Sequence, residues 1–373
     1  MLYYLMLQTA ELDFSYPDEL VALKPKERGT SRILFIPRDS NQFRELNWMN
    51  LLAFFKKGDT LVLNDTEVLW ARLVIPKAQG KSGEIFFLKT MDSQQHWQVL
   101  SRALNLKEKK VIELPGGIKA TVLKAGRVSE LKIHTVFDLK KYFAEFGHVP
   151  LPPYIENLRS SVKDEDFAVE QDKNRYQTAW AKNWGSVAAP TASLHFSQAH
   201  LDQIKKQGVK IAWTTLHVGA GTFMPIETET LEAFQIHSEV VNVPPQTCHM
   251  IRESQATGKK IWACGTTVLR ALETAVWATG TAETNMPLIA PFYGETSLYI
   301  HPGSRFAVVD GLLTNFHQPK SSLLALAATF SIIGEAQTIS DKRARVKKIL
   351  DAYQFAIAKK FRLFSYGDLT VLF

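Results

Sequence analysis

Between residues 65 and 148 the apolar positions come in short or alternating runs broken by turns. They read VLWARLVI (68–75), GEIFFLKT (83–90), WQVLSRAL (97–104), KVIELPGG (110–117), IKATVLKAG (118–126) and LKIHTVF (131–137). Closely spaced runs of this kind, with Gly and Lys in the turns, predict an all-β module, a small barrel. After Tyr154 the texture changes to longer helical patterns alternating with single apolar runs. A helix over 197–207, capped by Ser197 and stopped by Gly208, precedes the buried strand KIAWTTLHV (210–218). A helix ending at Gly258, the strand KIWAC (260–264) and the helix VLRALETAV (268–276) repeat that order. The alternation is that of an α/β protein. The expected fold is a layered α/β/α main domain with an inserted small antiparallel β-barrel.

The run TLVLN (60–64) cannot bury itself alone, so it belongs with the α/β part and makes the β module an insertion. The expected domains are 1–64 plus 151–373, discontinuous and catalytic, and 65–150, the inserted barrel. The Pro-rich GHVPLPPY (147–154) marks the return linker, because proline resists both helix and central strand. A chain of 373 residues exceeds the size at which one core keeps growing, which agrees with two domains.

With 46% hydrophobic and 22% charged residues, the composition fits neither a disordered nor a transmembrane class. The apolar opening MLYYLM lacks a basic leading region and a small-residue cleavage site. Cys248 and Cys264 are too few and too far apart for a disulfide framework or a CxxC pair. A cytoplasmic protein is expected, without a membrane partner and as a monomer. A net charge of +7 permits an anionic partner such as RNA. Lys205, Lys206, Lys210 and KRARVKK (342–348) are candidate phosphate contacts, with solvated faces as the alternative.

Four polar stretches carry the candidate chemistry. VAAPTASLHF (187–196) runs through small or constrained residues and stops at His195. LHVGAGTF (216–223) places His217 at a strand end, then Gly219 and Gly221, either as a ligand contact or as a turn. In CGTTVLR (264–270), Gly265, Thr266 and Thr267 lie where a strand hands over to a helix. Their amides and hydroxyls can bind carboxylate or phosphate there, or one threonine can simply cap the helix. TNFHQPKSS (314–322) offers Asn315, His317 and Lys320 before a helix that Ser321 or Ser322 can cap. His195, His217, Thr267 and His317 are expected to converge on one edge of the sheet. His195, His217, His237, His249 and His317 show no HExxH or similar ligand spacing, so a metal-free, anion-tolerant site is expected.

Along nearly its whole length the chain resembles the S-adenosylmethionine:tRNA ribosyltransferase-isomerase family of the queuosine pathway. The matching blocks are DFSYPDELVALKP, GDTLVLNDTEVLWARL, GHVPLPPYI, RYQTAW, GSVAAPTASLHF, TLHVGAGTF, GTTVLRALE, GLLTNFHQPKSSLL and RLFSYGD. The resemblance implies an α/β domain interrupted by a β-barrel. It also implies transfer of the ribosyl part of S-adenosylmethionine, as co-substrate and with no cofactor. The acceptor is the aminomethyl group of a 7-deazaguanine at the tRNA wobble position. Isomerisation to an epoxy-cyclopentanediol follows, and adenine and methionine are released. Two other readings fit the residues: a tRNA-binding relative without catalysis, and a transferase acting on a free nucleoside.

On that resemblance His195 and His217 lead as acid–base candidates, with His317 the third catalytic candidate. Asn315 and His317 are expected to bind ribose or substrate, and Thr266 and Thr267 the methionine carboxylate. Thr191, Gly219, Gly221 and Gly265 complete the expected substrate contacts. The small residues 188–193 make room for a nucleoside. Phe196, Phe223 and Phe316 are candidates for stacking or cation–π contact, or for core packing. The tRNA partner would enter by its anticodon loop, with Arg32, Arg72, Arg175 and Arg362 as candidate phosphate contacts. The chain departs from the family pattern at Ser193, where glycine is usual, at Gly29 in RGTSR (28–32), where a carboxylate is lost, at Gln318, and in AATFSIIG (327–334).

Overall fold

In this computed structural model the described residues are 6–77, 82–91, 95–162, 167, 169–219, 221, 225–284 and 287–373. Along the chain β1 (Ile33–Ile36), β2 (Arg44–Leu46), α1 (Trp48–Leu52), β3 (Thr60–Asn64) and β4 (Thr66–Val68) lead into seven strands that pair only among themselves. These are β5 (Arg72–Pro76), β6 (Ser82–Thr90), β7 (His96–Arg102), β8 (Val111–Leu114), β9 (Ile118–Lys124), β10 (Ser129–Ile133) and, after α2 (Leu139–Phe146), β11 (Gly147–His148). The chain continues through α3 (Pro153–Ser161), α4 (Val169–Arg175), β12 (Asn183–Ser186), α5 (Gln198–Lys206), β13 (Lys210–Leu216), β14 (Glu239–Val243), α6 (Pro245–Ala256), β15 (Ile261–Cys264) and α7 (Thr266–Trp277). It ends with β16 (Phe292–Thr296), β17 (Gly311–Asn315), α8 (Ser322–Phe330), α9 (Ile339–Ala358) and β18 (Leu369–Leu372).

Nine strands form one mixed sheet in the order β16-β14-β13-β3-β15-β17-β18-β1-β2. Its centre is parallel: β13, β3, β15 and β17 run the same way. Every residue of β3, β15 and β17 is buried, which requires cover on both faces of the sheet. Leu61, Leu63, Trp262, Cys264 and Leu313 pack on one face with Leu51, Leu52, Leu201 and Ile204 of α1 and α5. Val62, Ile261, Ala263 and Leu312 pack on the other with side chains of α6, α7, α8 and α9. This is the layered α/β/α arrangement expected. TLVLN lies at its centre as β3.

The inserted strands form one antiparallel sheet ordered β11-β5-β6-β7-β10-β9-β8, a half-barrel around Leu73, Ile85, Phe87, Trp97, Val99, Val122 and Leu131. Two runs differ from the sequence pattern for identifiable reasons. In 68–75 the strand of the insertion begins only at Arg72, because Thr66–Val68 pairs in parallel with β12 and Leu69 N donates to Ser186 O at 2.7 Å. The apolar run FAVVDGLL (306–313) likewise reads as a strand from its sequence, but β17 begins only at Gly311. The amides of Ala307, Val308 and Val309 donate instead to the buried Glu273 carboxylate at 2.8–3.3 Å. Burial pushes the Glu273 carboxyl up to about 7 despite those amides. Among the described residues no helix is long and apolar enough to cross a membrane.

Candidate functional site

The parallel strands β13, β3, β15 and β17 end together, and beyond their carboxyl ends lies a cleft. Open α/β sheets hold ligands at this edge. Val218 follows β13, Gly265 to Thr267 follow β15, and Thr314 to His317 close β17; all line the cleft. Ala189, Pro190, Thr191 and Ala192 form the facing wall, joined by Tyr154, Phe364 and Ser365.

The run of small residues is fixed at its start by β13. Val187 N donates to Val218 O at 3.0 Å, and Ser186 Oγ accepts from Val218 N at 2.9 Å and donates to Ala188 O at 2.7 Å. The run then coils into a 3-10 turn, Thr191–His195. Ala192 is buried in this turn beside Gly265. Ser193 fits in full burial, its Oγ 3.6 Å from Cys264 Sγ.

Gly265 is the residue before α7, with φ +104. A side chain there would meet only ordinary contacts, so the glycine serves its backbone conformation rather than space. Neither threonine caps the helix: Thr266 and Thr267 lie in its first turn, whose amides have no carbonyl of the helix to bond. The Asn64 amide donates to Leu216 O at 2.9 Å and to Thr267 Oγ1 at 3.3 Å, tying the ends of β3 and β13 to the start of α7. An oxyanion placed there meets N–H groups and the positive end of the helix.

Asn315 Nδ2 lies 3.2 Å from Phe364 O and 3.2 Å from His195 Nε2. A carbonyl only accepts, so the amide nitrogen must face it, and His195 Nε2 must accept as well. The His195 proton therefore sits on Nδ1, which donates to Ser31 Oγ at 2.8 Å. Asn315 Oδ1 is left buried without a partner at a residue lining the cleft. Burial, with Arg175, Arg28 and Arg362 nearby, pushes the His195 imidazole down to about 3. The RGTSR segment holds this turn. Arg28 donates to Leu194 O and Phe196 O, and Gly29 N donates to His195 O at 2.9 Å. Gly29 has φ +83, and a Cβ there would run into the His200 imidazole; the lost carboxylate coincides with that contact.

His317 lines the cleft, with Nε2 2.9 Å from Thr314 Oγ1 and its backbone amide donating to Tyr353 Oη. Burial pushes its imidazole down to about 3. His217 turns away: its Nδ1 is 2.8 Å from Thr66 Oγ1 and its ring lies against Gly185. Burial lowers its basicity, opposed by Asp65. The structure thus brings Thr191, Gly265, Thr266, Thr267, Asn315 and His317 to one cleft. His195 stands behind Asn315, and His217 stands beyond Val218.

Gly219 N donates to Glu239 Oε1 at 2.8 Å, and the Glu239 carboxylate pairs with buried Arg270 of α7. A Cβ at Gly221 would press on the His237 ring. Phe223 lies outside the described residues. Phe196 is buried edge-on to Trp48, and Phe316 packs edge-on to Tyr353 and Phe361 while lining the cleft.

The four arginines fall in different settings. Arg32 is held by Glu45 and by Lys359 O and Lys360 O, above the Phe361 ring. Arg72 pairs with Glu84 and Glu156, joining the half-barrel to α3. Arg175 and Arg362 lie near His195. Basic residues of 342–348 are engaged locally: Lys342 with Glu232, Arg343 with Glu11, Lys347 with Asp351.

Asn64, Tyr154, Ser31, Arg28 and Ser365 escaped the reading of single motifs. Tyr154 Oη donates to Ser365 Oγ at 2.6 Å on the cleft wall. Their one signal was the polar ending of apolar runs, as in LVLND and RLFSYGD. Among the described residues no group of three or more His, Cys, Asp or Glu side chains comes together as a metal site.

The family described as queuosine biosynthesis protein matches residues 9–372. The chain is 38% identical over 99% of its length, and all of the relative's, to the S-adenosylmethionine:tRNA ribosyltransferase-isomerase of Francisella tularensis subsp. tularensis. The same enzyme of the novicida subspecies is 36% identical over 97% of this chain and 98% of the relative. The crystal structure of S-adenosylmethionine tRNA ribosyltransferase from Thermotoga maritima aligns with a TM-score of 0.51. It is 27% identical and covers 97% of this chain and 100% of that one.

Proposed function

The chain belongs to the queuosine biosynthesis protein family, and on that premise we propose that it is an S-adenosylmethionine:tRNA ribosyltransferase-isomerase. The observation that carries this is the extent of the match: residues 9–372 include both large sheets and every residue lining the cleft. The acceptor is the aminomethyl group of a 7-deazaguanine at the tRNA wobble position. The products are an epoxy-cyclopentanediol nucleoside, adenine and methionine.

S-adenosylmethionine lies in the cleft, its nucleoside against the backbone of 188–193 and its methionine carboxylate on the amides and hydroxyls of Thr266 and Thr267. That placement is supported by the glycine-opened helix start and by the small facing wall. Asn315 Oδ1, buried and unpaired, accepts from a ribose hydroxyl. The sulfonium acidifies the ribose C5′ proton, so a neutral base within reach can remove it and open the ring. His317 is the imidazole on the cleft wall and takes this role; burial keeps it neutral. His195 acts as a positioning residue through Asn315, and His217 through Thr66.

The RNA enters with the modified base unstacked from the anticodon loop. Residues 1–64 with 151–373 carry the cleft, and 65–150 are the insertion. The enzyme works in the cytoplasm, where its tRNA is, and as a monomer.

The test mixes purified protein with S-adenosylmethionine and tRNA carrying the aminomethyl-deazaguanine, and follows adenine release and the mass of the modified nucleoside. Adenine release with the epoxy-cyclopentanediol mass gain is expected. Salt-sensitive tRNA binding without either product would point to a relative lacking catalysis; turnover on the free nucleoside without RNA would point to the other transferase.

A further inference from the structure

Behind His195, separated from the cleft by the His195–Asn315 pair, is a smaller cavity lined in part by Lys26, Ser31, Arg175, His195 and Ser365. Ser365 lines both spaces, so the two adjoin. Arg175 and Arg362 grip alternate carbonyls of the segment Lys24-Pro25-Lys26. Arg362 Nη2 donates to Lys24 O, and Arg175 Nη2 to Lys26 O at 2.6 Å. Each guanidinium then keeps one buried N–H without a partner, Arg175 Nε and Arg362 Nη1.

The charges around it do not balance. Burial and then the nearby Arg175 charge make the Arg28 guanidinium harder to keep protonated, and Lys26 adds a fourth positive charge at the cavity wall. The opposing carboxylates are Glu27, facing Arg175, and Asp368, facing Arg362 with Lys26 Nζ at 3.8 Å. Asp172 is occupied by Arg159 and by the Tyr366 hydroxyl. Among the described residues, four cations in and near the cavity wall therefore stand against two carboxylates, and two of the guanidiniums keep a buried donor that wants an acceptor. Leaving such donors unmet costs stability, and an anionic oxygen satisfies them best.

We propose that this cavity, with Lys26 and Arg175 in its wall and Arg28 and Arg362 nearby, is a subsite for one phosphodiester of the tRNA, next to the nucleotide whose base enters the cleft. The assignment rests on the transferase reading and narrows its RNA contact to one place. A phosphate held by Arg175 and Lys26 sets the backbone beside Ser365, where the two spaces adjoin. It also shields His195, which the Arg175 and Arg362 guanidiniums face.

The test uses the full-length protein, S-adenosylmethionine and tRNA carrying the aminomethyl-deazaguanine. Arg175→Gln is expected to raise the KM for tRNA about 10-fold, to leave the KM for S-adenosylmethionine unchanged, and to make the salt dependence of tRNA affinity shallower by about one counterion. Because Arg175 also holds a backbone carbonyl, Lys26→Gln is measured beside it and should shift the same quantities by a smaller factor. An anticodon stem-loop with one neutral methylphosphonate beside the modified nucleotide should lose with wild type what Arg175→Gln loses, and the two changes together should cost no more than either. Unchanged tRNA KM and salt slope in both variants overturns the subsite. So does a rise in the KM for S-adenosylmethionine alone, which would give the cavity to the methionine carboxylate. Wild-type protein that releases no adenine sinks the transferase reading instead, and salt-sensitive RNA binding weakened by Arg175→Gln would still support the subsite.

Discussion

Asn315 Nδ2 is 3.2 Å from His195 Nε2, and this contact makes His195 an acceptor and Asn315 a fixed side chain facing the cleft. His195→Ala frees that amide, and misplacement of a substrate contact can cost about 100-fold. Adenine release by His195→Ala is expected to fall by about that factor. His195→Gln, whose side-chain oxygen can still accept from Asn315, should recover part of it. A glutamine variant as slow as the alanine one would refute the positioning role.

Gly265→Ala places a Cβ on a residue with φ +104, a region that costs a non-glycine residue about 1–3 kcal/mol. Urea unfolding should show that loss. If the start of α7 holds the carboxylate, the KM for S-adenosylmethionine should rise about 10-fold while that for tRNA stays put.

His195 and His317 are both pushed down to about 3 by burial, against 6.5 when exposed. The unfolded chain therefore binds protons below pH 6.5 that the folded chain refuses. Stability is full above that pH and falls as pH drops towards 3, by about 1.4 kcal/mol per pH unit for each histidine. Between pH 7 and pH 5 the pair should cost the wild type about 4 kcal/mol in urea unfolding, an order-of-magnitude figure. The double variant His195→Gln, His317→Gln should lose much less over the same range; equal slopes would mean the imidazoles are accessible to protons.

Gly147→Ala tests how the half-barrel is joined to the layered domain. A Cβ at Gly147 would overlap the carbonyl oxygens of Trp70 and Phe143, and neither backbone can step aside cheaply. A loss of about 3 kcal/mol or more is expected, or failure to fold, since backbone clashes belong to the severe class of substitutions. A melting temperature within a degree or two of wild type would show that the junction yields.

The local pattern was enough for the elements and the order of layers. Alternation in 83–90 and 97–104 became β6 and β7, the uniformly apolar runs at 60–64 and 260–264 became central strands, and Ser197 and Gly208 bounded α5, as their side chains and backbone freedom require. These depend on periodicity and capping, which act over a few residues. The polar strand ends were legible for the same reason; of His195, His217, Thr267 and His317, expected together on one edge, Thr267 and His317 line the cleft. Which histidine stands in the cleft was not legible. His195, His217 and His317 look alike as imidazoles after small or apolar runs, but a 3-10 turn puts the first behind Asn315 and a hydrogen bond to Thr66 turns the second away. Nor could Ser31 or Arg362 be paired with His195 across 164 and 167 positions of chain, respectively, from spacing alone. Side-chain direction and long-range charge are decided by packing between distant segments, and that information exists only once the chain has folded.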